Sequence, residues 1–146
     1  FMMRISLGFP NKNAEKQILA AEDQGARLMK LAPVITLKQL KQLQQSVSQV
    51  YCSENILDYI IALCHVSRRH EFSGNPLSPR AGKSILSAAK AWAFTENRTH
   101  LLPEDIQAVF ASVTEHRLAM FSTGELDQSK LTLAAQILQQ VDPLGY

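Results

Sequence analysis

Cysteine is scarce in this chain, with two in 146 residues. Cys52 and Cys64 have no metal-ligand spacing, and both stand in apolar surroundings, so they read as reduced thiols of a core and favour a cytoplasmic setting. The four histidines, His65, His70, His100 and His116, do not cluster in sequence, which argues against a zinc site. No apolar run approaches the ~20 residues that cross a bilayer, and no secretory pattern opens the chain. Excess charge is small: 15 basic against 13 acidic residues, a net +2. That is too mild for the clustered basic face of a nucleic-acid binder. The phosphate-cradling pattern G-x-x-x-x-G-K-[ST] does not occur, nor does an apolar strand ending in paired acids that would hold magnesium. What remains is ample apolar material, 46% of residues, enough for one sizeable core or two small ones.

Periodicity organises that material. Residues 2–9 alternate, with Met3, Ile5, Leu7 and Phe9 on one side, and predict a strand. A strand alone leaves its backbone groups without partners, so this one is expected to belong to a larger sheet and the chain to be a piece of a longer protein. A short helix is predicted over about 12–24, stopped by Gly25, and a connector over 25–35. Thr36 caps a helix with Leu37, Leu40, Leu43, Val47 and Val50 on one face. Ser53 caps the next, with Ile56, Leu57, Ile60, Ile61 and Cys64 as its stripe. After the turn-rich segment 71–77, a helix runs from Ser78 to about Asn97 and is expected to bury Ala81, Ile85, Ala88, Ala89 and Trp92. Pro103-Glu104-Asp105 opens another, with Ile106, Val109, Phe110 and Val113 inward and His116-Arg117-Leu118 at its end. Gly124 breaks the chain before a last helix over about 128–141, with Leu131, Ala134, Ala135, Leu138 and Val141 inward.

One residue sits against electrostatic preference. Ser78 and Pro79 suit the N-cap and first helical position, but Arg80 then places a cation at the positive end of the helix. Taken locally, either the side chain reaches past the dipole into water, or cation and helix terminus together await an anion such as phosphate.

The order of the pieces bears on that choice. FMMRISLGFP, SENILDYIIAL, Ser67-Arg68, LSPRAGKSILSAAKAWAF, LLPEDIQAVF and EHRL follow one another in a pattern that resembles the C-terminal half of the MoxR family of AAA+ ATPases. The resemblance covers nearly the whole chain and weakens across 25–35 and after about Met120. It implies an all-α helical-bundle lid with one short N-terminal strand left over from an α/β ATPase core. The implied division is 1–24 as core remnant, 25–35 as connector and 36–146 as lid. Arg80 matches the sensor-2 arginine, which in the family reaches the γ-phosphate of ATP, so the phosphate reading is the one the resemblance supports. Pro79 and Tyr59 are further nucleotide-binding candidates: Pro79 through the same motif, Tyr59 because the lid covers the adenine in this family. The resemblance also implies ATP and Mg in the longer protein and none in this fragment, which should be inactive alone, and a homo-oligomeric ring, a hexamer, acting on client proteins. It places the family's arginine finger just before Phe1, and no nucleic acid or membrane is expected as partner. The competing reading is a helical nucleic-acid-binding or adaptor module, drawing on Arg68-Arg69-His70, although Glu54, Asp58 and Glu71 interrupt any basic face there.

Overall fold

The computed structural model describes residues 1–21, 25, 28, 29, 31–72, 74–119, 132–143 and 145. Six helices are defined among them: α1 (Lys12–Ala20), α2 (Leu37–Ser48), α3 (Glu54–Val66), α4 (Pro79–Thr95), α5 (Pro103–Leu118) and α6 (Leu133–Gln139). The architecture is helical, as expected of a lid. The described residues contain no named strand, only an isolated parallel bridge between Tyr51 and His100. Residues 1–10 do not form the predicted strand. They carry no regular structure and are exposed, because alternation makes a strand only where a second strand accepts its backbone bonds. Leu131 and Gly124 lie outside the described residues, as does residue 24, where the first helix was expected to end.

The chain divides into two units, Ile5–Leu43 and Phe1–Arg4 with Gln44–Tyr146. In the first, Asn11 caps α1 by accepting from the Ala14 N–H at 2.9 Å. Thr36 and Gln39 form a reciprocal capping box at α2: Thr36 Oγ1 accepts from Gln39 N–H at 3.2 Å, and Gln39 Oε1 accepts from Thr36 N–H at 2.8 Å. The expected apolar face of α2 is not buried. Leu37, Leu40 and Leu43 are exposed, and of the predicted series only Val50, beyond the helix end, is buried.

The second unit holds the core, built by α3, α4, α5 and α6, with the most extensive packing between α4 and α5. On α4 the buried row is Ala81, Ile85, Ala89 and Ala93, an i, i+4 ridge, with Ala88 beside it. Trp92 was expected inside and is 45% exposed, because the contact follows the i, i+4 ridge to Ala93 rather than the mean helical period. A similar rotation occurs on α3. Tyr59, Leu63 and Val66 join Ile56, Ile60 and Cys64 inside, whereas Leu57 and Ile61 face out. The α5 stripe Ile106, Val109, Phe110 and Val113 is buried as predicted, and α6 contributes Ala134 and Ile137.

The turn from α4 to α5 is fixed by backbone geometry. Asn97 adopts a left-handed conformation (φ 56°) just past the helix end. Asn97 N–H donates to Phe94 O at 3.0 Å and Arg98 N–H to Ala93 O at 2.9 Å, the paired bonds of a Schellman motif. Arg98 then forms a two-pronged ion pair with Asp105, whose carboxylate is 1% exposed and also accepts from the Leu102 N–H at 2.9 Å. The hydrogen bonds to Asp105 push the Arg98 guanidinium above its ordinary range. Tyr51 N–H donates to Thr99 O at 2.8 Å and Leu101 N–H to Tyr51 O at 2.9 Å, which ties this turn to the chain before α3. Seven residues join α4 to α5, so the two run antiparallel, and the start of α4 lies beside the end of α5.

Candidate functional site

Two sequence-local devices set up the start of α4. Ser78, in extended conformation, accepts from the Ala81 N–H at 3.3 Å, and Pro79 occupies the first turn. Upstream, the Ser67-Arg68 pair fixes the approach of the chain. Buried Ser67 donates its hydroxyl proton to Cys64 O at 2.6 Å and accepts from the Leu77 N–H at 2.9 Å, while Arg68 Nε donates to Leu77 O at 3.0 Å. Arg68, one of the three residues behind the nucleic-acid reading, is therefore engaged in holding a loop.

Arg80 follows in the first turn, exposed, and its guanidinium makes no ion pair or hydrogen bond with the described residues. It lines a recess of about 560 Å³ together with Phe1, Met2, Ser84, His116 and Arg117. Among the described residues the lining holds two guanidiniums and an imidazole and no carboxylate. Ser84, one turn on, donates to Arg80 O at 3.1 Å and accepts from Arg117 Nη2 at 3.3 Å, bridging the two helices. Arg117 Nη2 also lies 3.1 Å from Phe1 O and 3.2 Å from Met2 O. Glu115, the nearest acid in sequence, is turned to α6, where its carboxylate accepts from the Leu133 and Ala134 N–H groups at 3.2 and 3.0 Å. Two guanidiniums beside a helix N-terminus make a setting that favours an anion, and guanidinium geometry favours phosphate or carboxylate.

The other two sequence candidates lie elsewhere. Pro79 lines a separate, largely apolar recess of about 380 Å³ with Leu57, Ile61, Gly82 and Leu86. Tyr59 is 0% exposed, in the core, where its hydroxyl accepts from Gln107 Nε2 at 3.3 Å and burial pushes its pKa up. A side chain so enclosed offers no face to an adenine, so Tyr59 drops out as a nucleotide contact. Ser84 and Arg117 were not among the sequence candidates. The i, i+4 spacing of Arg80 and Ser84 puts them on one helix face, but only the antiparallel return of α5 brings Arg117 to it. Among the described residues no group of acids, cysteines and histidines is arranged to hold a metal ion, and no helix is long and apolar enough to cross a membrane.

Residues 66–141 match the family model described as the AAA lid domain. The chain is 28% identical over 127 residues to the uncharacterized protein YeaC of Bacillus subtilis, covering 87% of this chain and 40% of that one. It is 25% identical over 151 residues to the chaperone MoxR1 of Mycobacterium tuberculosis, covering 97% and 40%. Protein MoxR of Paracoccus denitrificans is 28% identical over 137 residues, covering 81% and 40%. A crystal structure of a candidate ATPase from Cytophaga hutchinsonii superposes with a TM-score of 0.74 at 25% identity, covering 97% of this chain and 46% of that one. The chain therefore spans 40% of the length of the curated relatives it matches.

Proposed function

This chain belongs to the AAA lid domain family, and from that premise we propose that it is the lid of a MoxR-type ATPase, closing over ATP held by an α/β core and reporting the γ-phosphate through Arg80. The observation that carries this reading is the setting of Arg80: unpaired among the described residues, in the first turn of α4, in a recess to which the described residues contribute basic side chains and no acid. An arginine so placed has its electrostatic partner outside its own helix bundle. Phosphate arriving there completes the charge balance, and its loss on hydrolysis removes the attraction that draws lid and core together. That change is the means by which such a lid would couple ATP turnover to chaperone-like maturation of client proteins, within a homo-oligomeric, hexameric ring in the cytoplasm. Magnesium would be held by the core.

The test is turnover in the longer protein that carries this lid. Arg80→Ala lowers ATP hydrolysis by roughly tenfold or more, the scale of losing one preorganised charge contact to the reacting phosphate. Unchanged hydrolysis in that variant overturns the sensor role.

A further inference from the structure

The recess beside Arg80 has a second cationic wall that the motif does not assign. Among the described residues, the buried side-chain polar atoms without a hydrogen-bond partner are His116 Nδ1 and Arg117 Nε, and both belong to residues lining this recess. Leaving such groups unsatisfied is costly; both atoms are out of contact with solvent, so an anion in the recess would satisfy them once the ring and the guanidinium turn toward it. The distribution of bonds on Arg117 points the same way. Its Nη2 faces three oxygens, those of Phe1, Met2 and Ser84, with only two hydrogens to give, while Nε–H has none to serve. Position in the helix also matters. His116 and Arg117 occupy the last turn of α5, where they offset the negative pole that would otherwise repel an anion.

We infer that Arg117 and His116 form the second half of the phosphate site begun by Arg80, so that a polyphosphate is gripped from α4 and α5 together. This rests on the reading of Arg80 given above. The ligand class is the triphosphate part of a nucleotide: two guanidiniums on separate helices serve oxygens of an extended polyanion better than those of a single compact ion. Ser84 keeps the halves in register by accepting from Arg117 while donating to the Arg80 carbonyl.

The experiment uses this chain with its α-amino group acetylated, since Phe1 also lines the recess. With arginine and histidine ¹⁵N-labelled, tripolyphosphate is titrated in at constant ionic strength, and the Arg80 and Arg117 Nε–H and His116 ring resonances are followed. The expected result is one common isotherm for all three, with Arg117→Lys weakening binding roughly tenfold, as for loss of a charge-assisted hydrogen-bond pair. Shifts confined to Arg80, with Arg117→Lys binding normally, overturn the two-helix site and leave the Arg80 reading standing. Shifts at Arg117 and His116 without Arg80 overturn both. Identical shifts with sulfate at matched ionic strength overturn the polyphosphate assignment. The isotherms of the unsubstituted chain decide the matter even if Arg117→Lys misfolds.

Discussion

Cys64 lies against the start of α4, close enough that a Cβ added at Gly82 would stand 3.7 Å from its sulfur. Burial pushes its thiol above the ordinary range, against a smaller lowering by Arg68, and burial does the same to Cys52 against Lys90. Both should therefore be protonated and slow toward iodoacetamide near neutral pH. Labelling of the folded chain should lag the urea-unfolded chain by roughly a hundredfold or more at Cys64. The same shifts fix the sign of an alkaline effect. The unfolded chain gives up these thiol protons, and that of Tyr59, before the folded one does. Their contribution to stability is complete below the ordinary thiol range and is lost as pH rises through the folded values. Urea midpoints measured at about pH 8 and about pH 10.5 should fall in that order. Single residues were also where sequence reading was least secure. Trp92 and Ala93 are neighbours on α4, and hydrophobicity favours tryptophan for the core. The close approach of helices along a ridge of alanines favours Ala93, and nothing in a one-dimensional pattern reveals which ridge will be used.

At the scale of elements, helix starts were the most legible feature. Ser53 and Ser78 cap as predicted, because an N-cap is a bond between a side chain and an amide three residues on. The Glu104-Asp105 pair reads in sequence as a favourable first turn, which is true as far as it goes. That reading misses Arg98, whose approach to Asp105 depends on the left-handed Asn97. Asp105→Ala should cost about 2–3 kcal/mol by chemical denaturation, since it strands the Leu102 N–H and removes charged hydrogen bonds from a buried site. Gly82 invites the opposite change. A Cβ there would meet Cys64 Sγ at 3.7 Å and Ile60 Cγ2 at 3.8 Å, both ordinary contacts. Gly82→Ala should accordingly stabilise α4 by about 0.5–1 kcal/mol, read as a higher urea midpoint with unchanged slope.

For the molecule as a whole, the helical architecture was readable because successive segments carry apolar positions at helical spacing, several of them behind a capping residue. The candidate site was half readable: Arg80 stands out as a cation at the wrong helix pole, whereas Arg117 lies 37 positions away and joins it only through the antiparallel fold. The leucine face of α2 and the alternation of residues 2–9 misled for a shared reason. Both are patterns of burial, and among the described residues neither has a covering partner. The chain alone should bind ATP only weakly, in the millimolar range or above by calorimetry. Two arginines contribute little in water without a cradle for the other phosphates.

The Asn97 turn gives the α4–α5 pair the form of a pair of tongs. Its pivot, stiffened by the Schellman motif, the Arg98–Asp105 pair and the Tyr51 tie, lies at one end, and the arginines stand at the tips. With 17 residues, α4 is a lever about 25 Å long, so a rotation of only about 5° at the pivot separates the tips by about 2 Å. That displacement is enough to take a guanidinium out of hydrogen-bonding range. Mechanical advantage would run both ways along this arm if the proposed anion binds there: a small twist imposed at the pivot would release it, and an anion clasped at the tips would lock the pivot with the leverage of the whole helix.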